Sequence, residues 1–269
     1  MLTLTYTGTT SIPVEAECIT PDNLVGKSLD EIAQLPVQHG NQAARVGDFF
    51  QVSGDPSDET VVVEGDTTRV KWLGTGMKRG RLTVTGNAGM HVGSEMRGGE
   101  LHVLGNASDW AGGEMRGGLL HIRGSAGHLA GAAYRGSRVG MRGGLLLIQG
   151  SAGNEVGAGL RRGLIAVGDV GDYVGVGVVA GSIFVFGKPG VRPGAGMKRG
   201  SIVFAGPAPD VLPTFKLACV FQPVFLALYL RRLKELGYPV PPELASASWR
   251  RYCGDLVSLG KGELLIREP

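Results

Sequence analysis

Glycine recurs in this chain with a period of about nineteen residues between Gly74 and Gly206. One series steps by nineteen or eighteen residues and is interrupted by a single insertion; it comprises Gly80, Gly99, Gly118, Gly144, Gly163, Gly181 and Gly200. A fixed period near twenty residues is typical of solenoids, in which one small unit stacks on copies of itself. The ordered spacing also separates this region from a flexible glycine-rich linker.

Apolar residues alternate with period two inside each repeat, which is the pattern of a β-strand with one buried face. Two positions in every repeat carry aliphatic or aromatic residues, as in Leu101 and Val103, or Leu120 and Ile122. About nineteen residues are too few for a strand, a helix and a return. The predicted fold is therefore an all-β solenoid, a single-stranded β-helix of about seven to eight coils. A ladder of mostly methionine residues is predicted to fill its interior: Met77, Met96, Met115, Met141, Leu160, Val178 and Met197.

The two ends of the chain depart from the repeat and are predicted to cap it. Residues 1–59 form an N-terminal cap, residues 60–206 the repeat domain, and residues 207–269 a C-terminal tail that contains a helix. In the cap, Ile12 to Ile19 is predicted to be a strand, and a capping box at Ser28 to begin a short helix. The tail helix is predicted from about Pro223 to Leu236, with an apolar stripe of Phe225, Tyr229, Leu233 and Leu236.

One outward position changes from polar to apolar along the repeats. It holds Thr83, His102 and His121 early, then Leu147, Ala166, Phe184 and Val203, and Phe186 joins the later group. Large apolar patches are rarely left in water, so this face needs a cover. The sequence leaves two covers open, namely the chain's own C-terminal segment and another protein.

Composition limits the class of protein. The net charge of +3 does not favour nucleic-acid binding. Three distant cysteines, Cys18, Cys219 and Cys253, fit a reducing cytoplasm and match no disulfide framework or metal-ligand spacing. The longest apolar run is too short to cross a membrane. We therefore expect a cytoplasmic protein that interacts with neither membranes nor nucleic acid.

Catalytic groups are not evident in the sequence. His102 and His121 are nineteen residues apart and should stack on adjacent strands, either as a two-histidine metal site or as a repeated histidine on an exposed face. No third ligand stands at the flanking repeats, which favours the second interpretation. We expect no catalytic residue, bound metal or bound cofactor in this chain.

A basic residue precedes the corner glycines in most repeats. These residues form a predicted stripe of like charges: Arg79, Arg97, Arg116, Arg142, Arg162 and Arg199. Solvent and the neighbouring Glu95 and Glu114 offset the repulsion in one interpretation. In the other, an acidic partner surface or a polyanionic cofactor tail lies along the stripe.

The repeats resemble those of a known family. The segments Gly93 to Gly99 and Gly112 to Gly118 have the form Gly-x-x-Met-Arg-Gly-Gly, which is similar to repeats of the glutamate synthase C-terminal domain and of the C subunit of formylmethanofuran dehydrogenase. The segment Tyr134 to Met141 lies where the C-subunit family interrupts its coils. The tail, with Arg250-Arg251-Tyr252-Cys253-Gly254-Asp255 and Gly260-Lys261-Gly262-Glu263, resembles only the C-subunit family.

The resemblance implies one of two enzyme complexes. One is the bacterial formyltransferase/hydrolase complex, which moves a formyl group from formyl-tetrahydromethanopterin to a methanofuran analogue and hydrolyses it to formate; the cap and tail are more similar to this version. The other is the molybdenum or tungsten formylmethanofuran dehydrogenase, which fixes carbon dioxide. A free-standing anion-binding module is a third interpretation.

In both complexes the resemblance implies a scaffold role for this type of chain. The implied partners are the other subunits of the complex: A, which is amidohydrolase-like, B, and D, which is the formyltransferase. The metal and the methanofuran analogue are expected in those subunits. For the tail, closing the end of the solenoid is the alternative to partner docking. The predicted interface residues are Leu147, Phe184, Phe186, Val203, Arg250, Arg251, Tyr252, Asp255 and Lys261.

Overall fold

The computed structural model describes residues 1–268, and it is mostly β-structure with few helices. The strands are β1 (Leu2–Tyr6), β2 (Val14–Glu15), β3 (Pro36–His39), β4 (Gln42–Arg45), β5 (Phe50–Gly54), β6 (Thr60–Glu64), β7 (Val70–Lys71), β8 (Arg81–Val84), β9 (Glu100–Val103), β10 (Leu119–Ile122), β11 (Leu145–Ile148), β12 (Leu164–Val167), β13 (Ser182–Val185), β14 (Arg199–Phe204), β15 (Lys216–Phe221), β16 (Trp249–Gly254) and β17 (Lys261–Arg267). The α-helices are α1 (Pro21–Leu24), α2 (Leu29–Ala33) and α3 (Val224–Glu235).

The repeats stack in register as one parallel sheet. Each of β6 and β8 to β14 pairs with the next, so that Leu101 lies beside Leu120 and Leu120 beside Leu146. The predicted inward residues are buried along the whole series, which confirms the period-two interpretation. The predicted methionine ladder is buried as well, at 0–1% exposure.

A second parallel ladder connects the repeats a few residues after each strand. It consists of single bridges that join Thr67, Ala88, Ala107, Ala126, Ala152 and Val170 in turn. Between the two ladders the chain turns at glycine corners. At Gly118 the φ angle is +82°, and a Cβ atom would lie 2.8 Å from the backbone of Gly98, so the close approach of successive repeats requires glycine there.

The N-terminal residues extend the sheet and add a small second one. Strand β1 pairs with β6 in parallel and with β5 antiparallel, while β4, β3, β2 and β7 form the four-stranded sheet. The capping box at the start of α2 is confirmed, because Ser28 and Glu31 exchange their hydrogen bonds. The predicted strand from Ile12 to Ile19 is shorter in the structure, where only Val14–Glu15 pair.

The C-terminal residues continue the sheet beyond the last repeat. Strand β17 pairs with β14 in parallel, β16 pairs with β17 antiparallel, and β15 forms the edge of the thirteen-stranded sheet. Helix α3 agrees with the predicted bounds within a residue or two. The predicted stripe is confirmed at Leu233, which is buried, while Tyr229 and Leu236 are partly buried against the same apolar cluster. It is wrong at Phe225, which is exposed, and it missed the buried Leu226 and Leu230.

Residues 1–268 contain no helix with the length and apolar character that a membrane crossing requires.

Candidate functional site

The outward apolar face of the sheet is covered by the chain's own tail. Leu147, Phe184 and Val203 are fully buried in a second apolar cluster, on the face of the sheet opposite the main core. Helix α3 contributes Leu230 and Leu233 to this cluster, and Trp249 of β16 joins them. Of the two covers that the sequence left open, the C-terminal segment is the one observed. Leu147, Phe184 and Val203 are therefore not accessible to a partner while the tail is in place. This corrects the prediction that they form an interface with a partner subunit.

Polar contacts fix the segment after α3 to the sheet. The hydroxyl of Tyr238 donates to the carbonyl of Ile148 at 3.0 Å, and burial raises the pKa of this phenol. The centroid of its ring lies 5.0 Å from that of Phe186, which is partly buried and is thus also covered by the tail. The side chain of Gln149 donates to the carbonyl of Gly237 at 3.2 Å. Both apolar and polar groups therefore attach the tail to the sheet.

Exposed apolar side chains are concentrated on the tail itself. Five large ones fall between residues 217 and 228: Leu217 and Val220 on β15, and Val224, Phe225 and Leu228 on α3. Val224 is 86% exposed and Leu228 is 72% exposed. The sequence pattern did not predict this exposed surface, since it placed Phe225 on the covered face of the helix. The accessible apolar surface therefore lies on the outer side of the tail and not on the repeat residues that the tail buries.

The predicted tail residues mainly join the tail strands to each other and to the repeats. Arg250 pairs with Glu268, and the Nε of Arg251 lies 2.7 Å from Oε2 of Glu263. Tyr252 packs against the main core. These contacts fit the interpretation in which the tail closes the end of the sheet.

Asp255 is buried, and its carboxylate accepts a hydrogen bond from the backbone N–H of Gly196 at 2.9 Å. It was predicted as an interface residue, but its burial inside the chain corrects that prediction. Lys261, by contrast, is exposed at the start of β17.

The two stacked histidines differ in their surroundings. Their ring centroids are 6.0 Å apart, as the nineteen-residue spacing predicted. His102 is partly buried, with Nε2 3.5 Å from a carboxylate oxygen of Glu100. His121 is 1% exposed, which corrects its placement on an exposed face, and burial lowers its pKa to about 4. No group of three or more potential metal ligands occurs among residues 1–268.

The basic stripe divides into paired and unpaired members. Arg79 pairs with Glu59 at 2.9 Å and Arg116 with Glu95 at 2.8 Å, while Arg142 lies 3.9 Å from a carboxylate oxygen of Glu114. Within residues 1–268 no carboxylate lies within ion-pair distance of the remaining members, Arg97, Arg162 and Arg199.

One position of the repeat explains why Arg116 and Arg142 are paired whereas Arg97, Arg162 and Arg199 are not. Glu95 and Glu114 immediately precede the inward methionine and adopt left-handed backbone angles, with φ of 53° and 51°. Each reaches the arginine of the following repeat. The other repeats have a glycine at this position: Gly76, Gly140, Gly159, Gly177 and Gly196. The repeats that lack the glutamate leave the next cation without a carboxylate.

No family model matches this chain. One characterised protein, however, matches it over nearly its whole length. The C subunit of the formyltransferase/hydrolase complex of Methylorubrum extorquens is 51% identical over 266 residues, which cover 99% of each chain. This chain belongs to the C-subunit family of formyltransferase/hydrolase complexes.

Solved and more distant relatives agree with membership of the C-subunit family. A chain in the crystal structure of the M. extorquens formyltransferase/hydrolase complex with methylofuran superposes with a TM-score of 0.92 and 35% identity, over 99% of this chain and 100% of that one. The C subunit of the tungsten-containing formylmethanofuran dehydrogenase 2 of Methanothermobacter thermautotrophicus is 41% identical over 87 residues. That match spans 31% of this chain and only 32% of the relative.

Proposed function

We propose that this chain is the non-catalytic scaffold subunit of a formyltransferase/hydrolase complex. The complex would transfer a formyl group from formyl-tetrahydromethanopterin to a methanofuran analogue and hydrolyse it to formate. The single observation that carries the proposal is the likeness over the full length of both chains to the M. extorquens subunit, in sequence and in structure. That likeness covers 99% of this chain and so includes the tail, whereas the dehydrogenase match covers only 31% of this chain.

We propose further that the repeats form a single-stranded β-helix between an N-terminal cap (1–59) and a C-terminal tail (207–269). Two parallel ladders at the repeat spacing support this, one of strands and one of single bridges, since a chain that returns to the same place every nineteen residues would produce both. Such a body is rigid because each repeat packs against its neighbours. Rigidity is what a scaffold needs when a carrier must pass between separate active sites.

The proposed partners are the other three kinds of subunit in such a complex: the amidohydrolase-like A, B, and the formyltransferase D. The crystal structure of the M. extorquens relative is that of an FhcABCD complex, which supports this assignment. In this proposal the partners bind the metal and the methanofuran analogue, and this chain positions them. The exposed surface of the tail is the apolar area that it offers them.

Two of the unpaired residues of the basic stripe, Arg97 and Arg199, are proposed to attract a polyanionic carrier tail. A cation without a carboxylate partner retains its charge for a ligand, whereas Arg116 and Arg142 are already paired with glutamates. The double variant Arg97→Gln with Arg199→Gln should raise the KM for the carrier by about threefold to tenfold, and more at low salt. The matched control is Arg79→Gln with Arg116→Gln, which removes paired arginines. Equal effects of the two double variants, or unchanged KM and assembly, would contradict the proposal.

The test of the main proposal is native purification of the tagged chain from its host under mild conditions, with mass spectrometry and metal analysis of the co-purifying subunits. An amidohydrolase-like and a formyltransferase subunit without molybdenum, tungsten or iron–sulfur are the expected result. Molybdenum or tungsten with iron–sulfur proteins would instead establish the dehydrogenase, which the local similarity to its C subunit makes the second candidate. A chain that purifies alone would remove the support for a scaffold and favour the anion-binding module.

A further inference from the structure

A groove runs between helix α3 and the outer surface of the repeats. Its volume is about 570 Å³, and its walls are mostly apolar. Leu145 and Leu164 form one side, and Leu228 and Tyr229 of the helix form the other. Three corner glycines also line the groove and add no side chain to it: Gly144, Gly163 and Gly181. Its volume is large enough to hold a bulky side chain.

Two guanidinium groups line the same groove. Arg162 has no ion-pair partner among residues 1–268, and Arg232 has only a loose contact, with Nη1 3.4 Å from Oε2 of Glu235. Glu235 also accepts from Nε of Arg231 at 3.0 Å, so one carboxylate serves two arginines. The groove therefore combines an apolar interior with a net positive rim.

The helix adds a second, continuous apolar area beside the groove. Leu228 lies on its wall and is 72% exposed, and Val224 is one turn earlier on the same helix. Removing this area from water would be favourable by about 25 cal/mol per Å² of apolar surface. Exposed apolar surface of this kind next to a groove is typical of a protein-binding site.

The charge of the rim determines which occupant fits. In a symmetric pair of identical chains the same patch faces itself, so Arg162 and Arg232 would meet their own copies. Like charges brought together in an apolar interface are costly, which disfavours a second copy of this chain. An occupant with a carboxylate would instead form charge-assisted hydrogen bonds with guanidinium groups.

We propose that the groove between α3 and the repeats receives an amphipathic, acidic segment of another subunit of the complex. A bulky apolar side chain of that segment enters between Leu164 and Leu228, and a carboxylate pairs with Arg162 and Arg232. This inference rests on the proposed scaffold function and names the surface through which the scaffold acts. It places the docking area on the outer side of the tail helix.

The experiment is co-expression of the tagged chain with the other subunits of its host complex, followed by affinity purification and measurement of stoichiometry and retention on dilution. Leu228→Asp and Arg162→Glu are expected to weaken retention of one partner by at least about tenfold, as a lost interface hot spot does. Arg162→Lys keeps the charge and should retain most of the assembly. The matched controls are Leu104→Asp, just after β9 and outside the tail, and Arg161→Glu; both residues are exposed and do not line the groove.

The outcomes separate this inference from the function on which it rests. If the wild-type chain assembles and Leu228→Asp and Arg162→Glu assemble equally well, the groove is not the docking surface, and the scaffold function stands. If the controls fail as badly as the groove variants, the effect is not specific to the groove, and the inference is overturned. A wild-type chain that retains no partner contradicts the proposed function itself. Self-association that Leu228→Asp abolishes would identify a second copy as the occupant and overturn the acidic partner.

Discussion

Tyr134 lies across a stack of three rings on the side of the repeats. The rings of Trp72 and His91 are parallel with centroids 3.9 Å apart, and Trp110 follows 5.5 Å from His91. The hydroxyl of Tyr134 donates to Oγ of Ser94 at 2.7 Å, and the hydroxyl of Ser94 in turn donates to the carbonyl of Trp110. Nδ1 of His91 lies 3.0 Å from the tyrosine oxygen, so it acts as the donor there and carries the proton. These hydrogen bonds attach Tyr134, the first residue of the segment Tyr134 to Met141 that interrupts the repeats, to the neighbouring repeats.

Replacing Tyr134 by phenylalanine should lower stability and loosen the insertion. The change leaves the Nδ1 proton of His91 without its acceptor in a partly buried site, at a cost of about 1–2 kcal/mol. Urea unfolding would measure the loss, and hydrogen exchange would show faster exchange in residues 134–139. Tyr173→Phe is the matched control, because that hydroxyl bonds only to exposed Arg192. A loss no greater than that of the control would contradict the role of the hydroxyl.

Two histidines should make stability depend on pH. Burial lowers the pKa of both His91 and His121 to about 4, the former with a smaller contribution from Lys71 and the latter from Arg123. Since the unfolded chain binds protons near pH 6.5 and the folded chain does not, stability is full above that pH and is lost as pH falls towards 4. We expect a loss of about 1–2 kcal/mol for each histidine between pH 7 and pH 4.5. The free energy of unfolding, measured across this pH range, should depend less on pH in His121→Gln than in the wild-type chain. If the two chains lose stability in parallel as pH falls, His121 is not the cause.

The arrangement of these histidine and aromatic side chains was predictable from the sequence only in part. The stacking of His102 on His121 followed directly from their spacing, but the burial of His121 depends on the tail, which the repeat pattern does not describe. Trp72, His91 and Trp110 also stand nineteen residues apart, so their stack was available from the same spacing and was missed. Tyr134 lies in the insertion, and its position across the stack has no counterpart in the period.

At the level of single elements, α3 shows how the bounds of a helix can be predicted correctly and its buried face only in part. Leu226, Leu230 and Leu233 are spaced by four and three residues and form the buried stripe. The predicted stripe shares Leu233 with the observed one, but it began at Phe225 instead of Leu226. That stripe was chosen because it contains two aromatic residues, yet Phe225 is exposed and Tyr229 is only partly buried.

Leu230→Ala tests which face of α3 covers the sheet. The side chain is 5% exposed in the second apolar cluster, so its truncation should cost about 2–4 kcal/mol through lost burial and a cavity. Leu228→Ala, two residues earlier on the outer face, should change stability by less than about 0.5 kcal/mol. Chemical denaturation of the two variants gives the comparison. Similar losses would mean that the helix does not sit with Leu230 inward.

The strands of the repeats were predictable and the strands of the tail were not. Repeat strands can be recognised because the same inward positions return in each unit. Strands β15 to β17 occur once each, and β17 pairs with β14 across a long separation, as Ser201 and Glu263 show at 62 residues apart. A pairing of that kind leaves no periodic trace in the sequence.

At the scale of the whole molecule, one sheet separates two apolar cores. The repeats enclose the main core on one face, and the tail builds the second core on the other. Without the tail, the second face would be open over β11 to β14. The tail is therefore part of the folding unit and not an appendage.

A chain that ends at residue 206 should accumulate in the insoluble fraction, because it exposes Leu147, Phe184 and Val203 together with the open edge of β14. Soluble yield and light scattering measure this outcome. Replacing these three residues by threonine in the shortened chain should recover part of the solubility. A shortened chain that stays monomeric without these changes would show that the tail is dispensable.

Because β17 pairs with β14, the sheet is completed only when the last strand of the chain has been synthesised. The edge of β14 is made early, but the strand that pairs with it is synthesised much later, since Ser201 and Glu263 are 62 residues apart. At about 5–20 residues per second, that interval is several seconds on the ribosome. During this time the newly made edge can pair with any strand nearby. The nascent chain is thus most vulnerable to mispairing just before its last strand emerges, and a chaperone or an early-binding partner would have its greatest effect in that interval.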